Sequence, residues 1–294
     1  MKHRSPRISA PDIVLGLLLL GAAVYIFYRI RIGLHYQWKW ELIPRYLFRY
    51  DPEKKQWVAN LIMQGFFMTL RISIWATVLA MILGTVMGFF RTAQRLFLRL
   101  LAGTYVQIIR NIPPLVLVFI FYFFVSDRII SLPGVEDFIR TRSETAQNIM
   151  TFLFAPPAQF TVFLSGVVSL AVFEGAYITE IVRAGIQSVE KGQWEASAAL
   201  GFSRWQQMRH IILPQALQTI LPALAGQFIS VIKDSSIVSV ISIQELTFQG
   251  MELVASTYLT FEIWITVTLL YLILTLSCSM IAERFEHSLA GGKK

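Results

Sequence analysis

The chain has 294 residues, of which 55% are hydrophobic and 15% charged, with a mean hydropathy of +0.58. A soluble domain of this length could not bury so much apolar surface, and the apolar residues fall in long blocks rather than at alternating or helical spacing. The net charge of +8 does not point to nucleic acid, because the basic residues sit between the apolar blocks and form no single stripe.

Six blocks approach the ~20 residues that a bilayer-crossing helix needs: Ile13–Tyr28, Phe66–Phe90, Leu100–Val125, Phe160–Ala184, Leu213–Ile232 and Tyr258–Ile281. Backbone groups in lipid must bond within their own segment, so the expected fold class is an all-α membrane protein with about six transmembrane helices. The first block follows the basic stretch Met1–Arg7 in signal-peptide style, but it ends in Tyr25-Ile-Phe-Tyr28 without small residues for cleavage, which predicts a retained span. Residues 29–57 carry Tyr36, Trp38, Trp40, Tyr46 and Tyr50 and are expected as a helix lying at headgroup level.

In the second block Gly84 and Gly88 form a G-x-x-x-G pair that permits close helix approach. In the third, Arg110 and Asn111 precede Pro113-Pro114, which predicts a kink that frees backbone carbonyls. An arginine at that kink can meet a substrate carboxylate, or serve as a gate or hinge. Residues 126–160, with Pro133, Gly134, Pro156 and Pro157, read as an external loop. In the fourth block Glu174, Tyr177 and Ile181 share one helical face, with no cation three or four residues from Glu174. Glu180 and Arg183 lie on another face and are spaced to pair as a structural ion pair. Lys233, Asp234 and Ser235 stand at the break after the fifth block, as part of a substrate path or gate, or as packing and capping residues. The stretch Ile237–Ile243 is too short to span and reads as a re-entrant or packed segment.

Lys and Arg divide almost evenly between the two sides of a six-span chain, so charge alone orients it weakly, with the basic N-terminus favouring the inside. One cysteine, Cys278, excludes an internal disulfide, and four scattered histidines offer no metal-ligand spacing. No G-x-x-x-x-G-K-[ST] phosphate loop occurs, so the chain carries no nucleotide site or cofactor of its own.

The loop Val189–Pro214 is the most informative segment. Gln193–Leu200 favours helix, Gly201 is a natural stop, and Ser203 with Gln206 makes a capping box for a second short helix through Ile211. Pro214 then punctuates the start of the next span. Helices this short need a partner to pack against, and Ala196–Ala199 offers a smooth small-residue surface rimmed by Glu195 and Arg204. The partner could equally be the chain's own bundle.

The segment resembles the signature cytoplasmic loop of binding-protein-dependent ABC permeases: E-A-A, three residues, G, nine residues, I-x-L-P. Glu195, Ala196, Gly201, Ile211, Leu213 and Pro214 occupy those positions without a spacing error, and Ser197 stands where the pattern has alanine. The resemblance extends over roughly residues 65–283. There Gly65-Phe-Phe-Met-Thr69, Tyr105-Val-Gln-Ile-Ile-Arg110-Asn111-Ile-Pro113, Glu174-Gly-Ala-Tyr177-Ile-Thr-Glu180-Ile-Val-Arg183 and Lys233-Asp234-Ser235-Ser236 are similar to the polar amino-acid branch.

It implies a five-helix permease core (65–283), preceded by an additional N-terminal span with an external segment (1–64) and followed by a cytoplasmic tail (284–294). The implied protein is a multi-pass permease of the bacterial inner membrane, with both termini cytoplasmic and no enzymatic activity of its own. Its implied partners are cytoplasmic ATP-binding subunits, a second permease copy or paralogue, an extracytoplasmic solute-binding protein and membrane lipid. Glu195, Ala196, Ser197, Gly201, Arg204, Leu213 and Pro214 would couple to the ATPase. The candidates along the substrate path are Arg110, Asn111, Glu174, Tyr177, Lys233, Asp234 and Ser235, with a lean toward glutamate, aspartate or glutamine. The rival reading is an ion-coupled secondary transporter with Glu174 and Glu180 as a relay; it leaves the loop pattern unexplained and predicts internal repeats, which are not seen.

Overall fold

The computed structural model describes residues 10–33, 36–53, 55–124, 141 and 143–291, without the side chains of 10, 23, 26, 27, 30–33 and 285–291. Pro133, Gly134 and most of the expected external loop lie outside the described residues. The chain divides into two compact units, one ending at Trp40 and one beginning at Glu41.

The first unit is α1 (Ala10–Gly33) and the segment after it. With 24 residues, α1 contains the whole first apolar block, and at 1.5 Å per residue it reaches ~36 Å, enough for the hydrocarbon core. After it, Trp38 and Trp40 stack with ring centroids 5.8 Å apart.

The second unit opens with α2 (Ile43–Leu47) and an antiparallel hairpin of β1 (Phe48–Asp51) and β2 (Gln56–Ala59). The headgroup-level helix expected over 29–57 is therefore corrected: only the start of that stretch and α2 are α-helical. Asp51-Pro52 turns the chain, with Asp51 Oδ1 accepting from the Glu53 N–H at 3.0 Å. The flanking aromatic and β-branched residues then pair, Tyr50 opposite Trp57.

The bundle follows. It comprises α3 (Leu61–Thr92), α4 (Leu96–Asn111), α5 (Pro114–Ile120), α6 (Glu144–Leu153), α7 (Phe160–Gln187), α8 (Lys191–Ala199), α9 (Arg204–Gln206), α10 (Leu213–Asp234), α11 (Leu246–Thr257) and α12 (Thr260–Gly291). Among the described residues of this unit, four runs are long and apolar enough to cross a membrane, and the bent pair α4–α5 makes a fifth. The kink expected at Pro113-Pro114 is a 110° break. Each proline pushes the residue before it into extended backbone, so Ile112 and Pro113 have ψ of 133° and 135° and the helix cannot continue.

At the centre lies α7, burying Phe163, Val167, Leu170, Ile178 and Val182. Its main partner is α3. The pair approaches closely because Gly84 and Gly88 stand opposite it: a Cβ at either would lie 2.6 Å from the Ile178 or Val182 side chain. Along α12, Leu269, Ile273 and Leu276 face outward, as a bilayer-facing helix requires. The short stretch after α10 is a 3-10 turn (Ser235–Ile241) that buries Val238 and Ile241 against Phe163 and Met68, so it is packed in the core.

Candidate functional site

The loop between α7 and α10 is built by local chemistry. At the end of α8, Gly201 adopts φ +80°, a conformation strained for residues with a side chain. The Gly201 N–H donates to Ala198 O at 3.0 Å, and the Phe202 N–H donates to Ser197 O at 3.2 Å. These are the two bonds of a Schellman cap. Ser203 then closes a capping box, its Oγ accepting from Gln206 N–H at 3.4 Å while its own N–H donates to Gln206 Oε1 at 2.8 Å.

The second helix does not stop before Pro214. It widens into a π-turn (Gln207–Ile212) and runs on into α10, correcting the punctuated start expected there. Pro214 lacks an N–H and its ring crowds the preceding turn; the wider π-turn accommodates both.

The loop has two faces. Trp194 packs against the core formed by Val182, Ile186, Ile212 and Ile220. Ser197 is buried, its Oγ donating to Trp194 O at 2.9 Å, and Gln207 is buried with its Nε2 donating to Phe202 O at 3.2 Å. Ser197 therefore turns inward and leaves the small-residue surface to Ala196, Ala198 and Ala199. Glu195 is exposed, and Arg204 lies over the Trp194 ring, 6.0 Å from its centroid. Leu213 is half-buried and Pro214 exposed at the foot of α10. Leu200 is 76% and Trp205 69% exposed, the most exposed of the loop's large apolar side chains, with Phe202 also partly exposed between them. The sequence reading passed over both.

The second place of interest is a cavity of ≈340 Å³ in the bundle, lined by residues including Arg110, Tyr177, Glu180, Thr219 and Gln227. The Arg110 guanidinium lies over the Tyr177 ring, 5.0 Å from its centroid. Behind it, Glu174 is fully buried; Gln227 Nε2 donates to Glu174 Oε2, and among the described residues Glu174 Oε1 has no hydrogen-bond partner. Asp234 lies near enough to Glu174 to interact with it electrostatically. Four of the sequence candidates thus gather in one region: Arg110, Tyr177, Glu174 and Asp234.

Three others do not join them. Asn111 caps its own helix, donating to Gln107 O at 2.6 Å. Ser235 is buried and donates to Ile232 O at 2.7 Å. Lys233 lines a different cavity of ≈300 Å³ with Thr247, Trp264 and Tyr271.

Glu180 accepts from Arg183 at 2.6 Å, and also from Arg91 of α3 at 3.2 Å, a partner 89 residues away that the sequence reading missed. It missed Glu245 as well. That carboxylate is fully buried at the start of α11, accepting from the N–H groups of Thr247 and Phe248 and from Tyr271 Oη at 2.8 Å.

The sequence pattern of the family described as "Binding-protein-dependent transport system inner membrane component" matches residues 78–291. The chain is 35% identical over 230 residues to the probable glutamine ABC transporter permease protein GlnM of Bacillus subtilis, covering 78% of this chain and 94% of that one. It is 36% identical to the glutamine transport system permease protein GlnP of Escherichia coli, covering 77% and 92%. Among solved structures, an amino acid ABC transporter with histidines superposes with a TM-score of 0.62 at 32% identity, covering 78% of this chain and 94% of that one. The inward-facing MetNI methionine ABC transporter, at 19% identity and a TM-score of 0.59, shares the fold.

Proposed function

The chain belongs to the family of binding-protein-dependent transport system inner membrane components, and we propose that it is the permease subunit of an ATP-driven importer of polar amino acids, glutamine foremost. The observation that carries this reading is the two-faced loop over 190–214: one face is fastened to the bundle through Trp194, Ser197 and Gln207, and the other presents Leu200 and Trp205 to a partner. In this reading the partner is a cytoplasmic ATP-binding subunit, the loop transmits its motion, and both chain termini share that side. A second permease copy or paralogue and an extracytoplasmic solute-binding protein complete the complex in the bacterial inner membrane.

The cavity supports the substrate class. Arg110 supplies a fixed positive charge suited to a carboxylate, Gln227, backed by the buried Glu174, supplies an amide group suited to an amide or ammonium, and the relatives named for glutamine favour that choice within the polar amino acids. The secondary-transporter reading has less support, because Glu180 is engaged by two arginines rather than placed as a relay to Glu174.

The test is ATP-dependent uptake into proteoliposomes. The chain is co-purified with the ATPase and permease products of neighbouring genes, supplied with the matching binding protein, and offered a panel of labelled amino acids. Glutamine uptake that requires ATP and vanishes in Glu195→Lys is the expected result. Uptake without ATP or partners overturns the reading.

A further inference from the structure

The turn between α3 and α4 faces Trp194 across two contiguous cavities of ≈400 and ≈470 Å³ that share Thr92, Ala93 and Trp194 as lining residues. Arg95 and Arg204 line the first, and Arg91, Arg99 and Lys191 line the second; no carboxylate lines either. Arg91 is already held by Glu180. Among the described residues Arg95, Arg99 and Lys191 have no ion-pair partner, and all three are exposed. Concave walls that carry one sign of charge concentrate counter-ions between them.

The kind of anion follows from the neighbouring surface. On the first turns of α4, beside Arg95 and Arg99, the side chains of Leu96, Phe97 and Leu100 are exposed, Phe97 to 73%. Cations at a cavity mouth with an apolar helix face leading away from it match an amphiphile: a phosphate in the cleft and acyl chains along the helix. The loop's outward apolar pair, Leu200 and Trp205, lines neither cavity, so the cavities meet the loop on its Trp194 side, where Arg204 and Lys191 line them.

We propose that the double cavity is a headgroup site for an anionic phospholipid, its phosphate held by Arg95, Arg99 and Lys191 and its acyl chains lying along Leu96, Phe97 and Leu100. A lipid bound there ties the α3–α4 turn to Trp194 of α8. It thereby steadies the loop in its observed position and gives loop motion a dependence on membrane charge.

The test is native mass spectrometry of the full chain, titrated with phosphatidylglycerol and, separately, phosphatidylcholine. Wild type is expected to retain phosphatidylglycerol preferentially. The combined Arg95→Gln, Arg99→Gln, Lys191→Gln variant should lose about a hundredfold of that preference, each of the three surface cations contributing roughly a fivefold factor. The charge-keeping Arg95→Lys, Arg99→Lys variant should keep most of it, with thermal unfolding reporting that each variant is folded. If the glutamine variant does not fold, a salt titration of wild type decides: retention that is independent of salt overturns the proposal. Equal retention of phosphatidylglycerol by wild type and a folded glutamine variant overturns it too. Displacement of the lipid by millimolar inorganic phosphate at constant ionic strength would assign the cavity to a free anion and overturn the lipid assignment.

Discussion

The guanidinium of Arg110 lies 5.0 Å above the ring of Tyr177, so a cation at the α4–α5 break is held by an aromatic face of α7 at the edge of the bundle cavity. A cation–π contact of this kind contributes about 0.5–2 kcal/mol, a two- to thirtyfold factor. Tyr177→Leu removes the face and should lower the transport rate of the reconstituted complex within that range, whereas Tyr177→Phe keeps it and should transport nearly as wild type. Arg110→Ala removes the charge itself and should be the most severe of the three. Equal rates for Tyr177→Leu and Tyr177→Phe would show that the contact plays no part in transport.

Packing makes a sharper contrast between two glycines. A Cβ at Gly84 would stand 2.6 Å from Ile178 Cβ and 2.8 Å from Gly175 O, both carried by the backbone of α7 and unable to yield alone. Gly84→Ala should therefore destabilise the purified chain by about 1–3 kcal/mol, through forced separation of α3 and α7. Nothing lies within 4 Å of a Cβ at Gly192 in α8. Gly192→Ala should be neutral or stabilise by up to about 1 kcal/mol, as a helical glycine replaced in open space does. Thermal unfolding in detergent separates the two, and a Gly84→Ala protein as stable as wild type would refute the close approach.

Which parts were legible in the sequence follows from the range of the interactions. The spans, the Gly201 stop and the Ser203 capping box depend on neighbours a few residues away, and each was readable in order along the chain. The hairpin Phe48–Ala59 was not, because four-residue strands alternate too briefly to outweigh aromatic richness that also suits an interfacial helix. Glu245 escaped notice because one of its partners, Thr69, lies 176 residues away, and the Arg91–Glu180 pair because 89 residues intervene. Lys233 and Asp234 reach different neighbours because adjacent residues on a helix point ~100° apart, which a reading in chain order does not resolve.

The loop offers a prediction that separates folding from coupling. At Gly201, with φ +80°, any β-carbon costs roughly 1–2 kcal/mol locally, with asparagine at the low end and a β-branched residue beyond the high end. Gly201→Asn should retain most ATP-driven uptake and Gly201→Val should lose it, while both insert in the membrane, because the loop lies outside the spans. Leu200→Ala and Trp205→Ala, at exposed positions, should leave thermal stability within about 0.5 kcal/mol of wild type and weaken co-purification of the ATPase. Undiminished co-purification in the double variant would remove that face from the partner interface.

Glu180 is the remaining case, because one carboxylate serves two arginines of different standing. The bond to Arg183 joins residues three apart on α7, whereas the bond to Arg91 ties α7 to the end of α3. Local pairs on one helix contribute only about 0.2–0.5 kcal/mol, and the side chains here are 19–30% exposed, which screens them further. The cross-helix bond closes a tertiary contact between α3 and α7, and its loss, with Glu180 still paired to Arg183, should cost about 0.5–1 kcal/mol. Unfolding temperatures should therefore fall most for Glu180→Gln, which abandons both arginines, less for Arg91→Ala, and least for Arg183→Ala. If Arg183→Ala proves more damaging than Arg91→Ala, the carboxylate acts chiefly within its own helix, and α3 and α7 are held by apolar packing, including the close approach at Gly84 and Gly88.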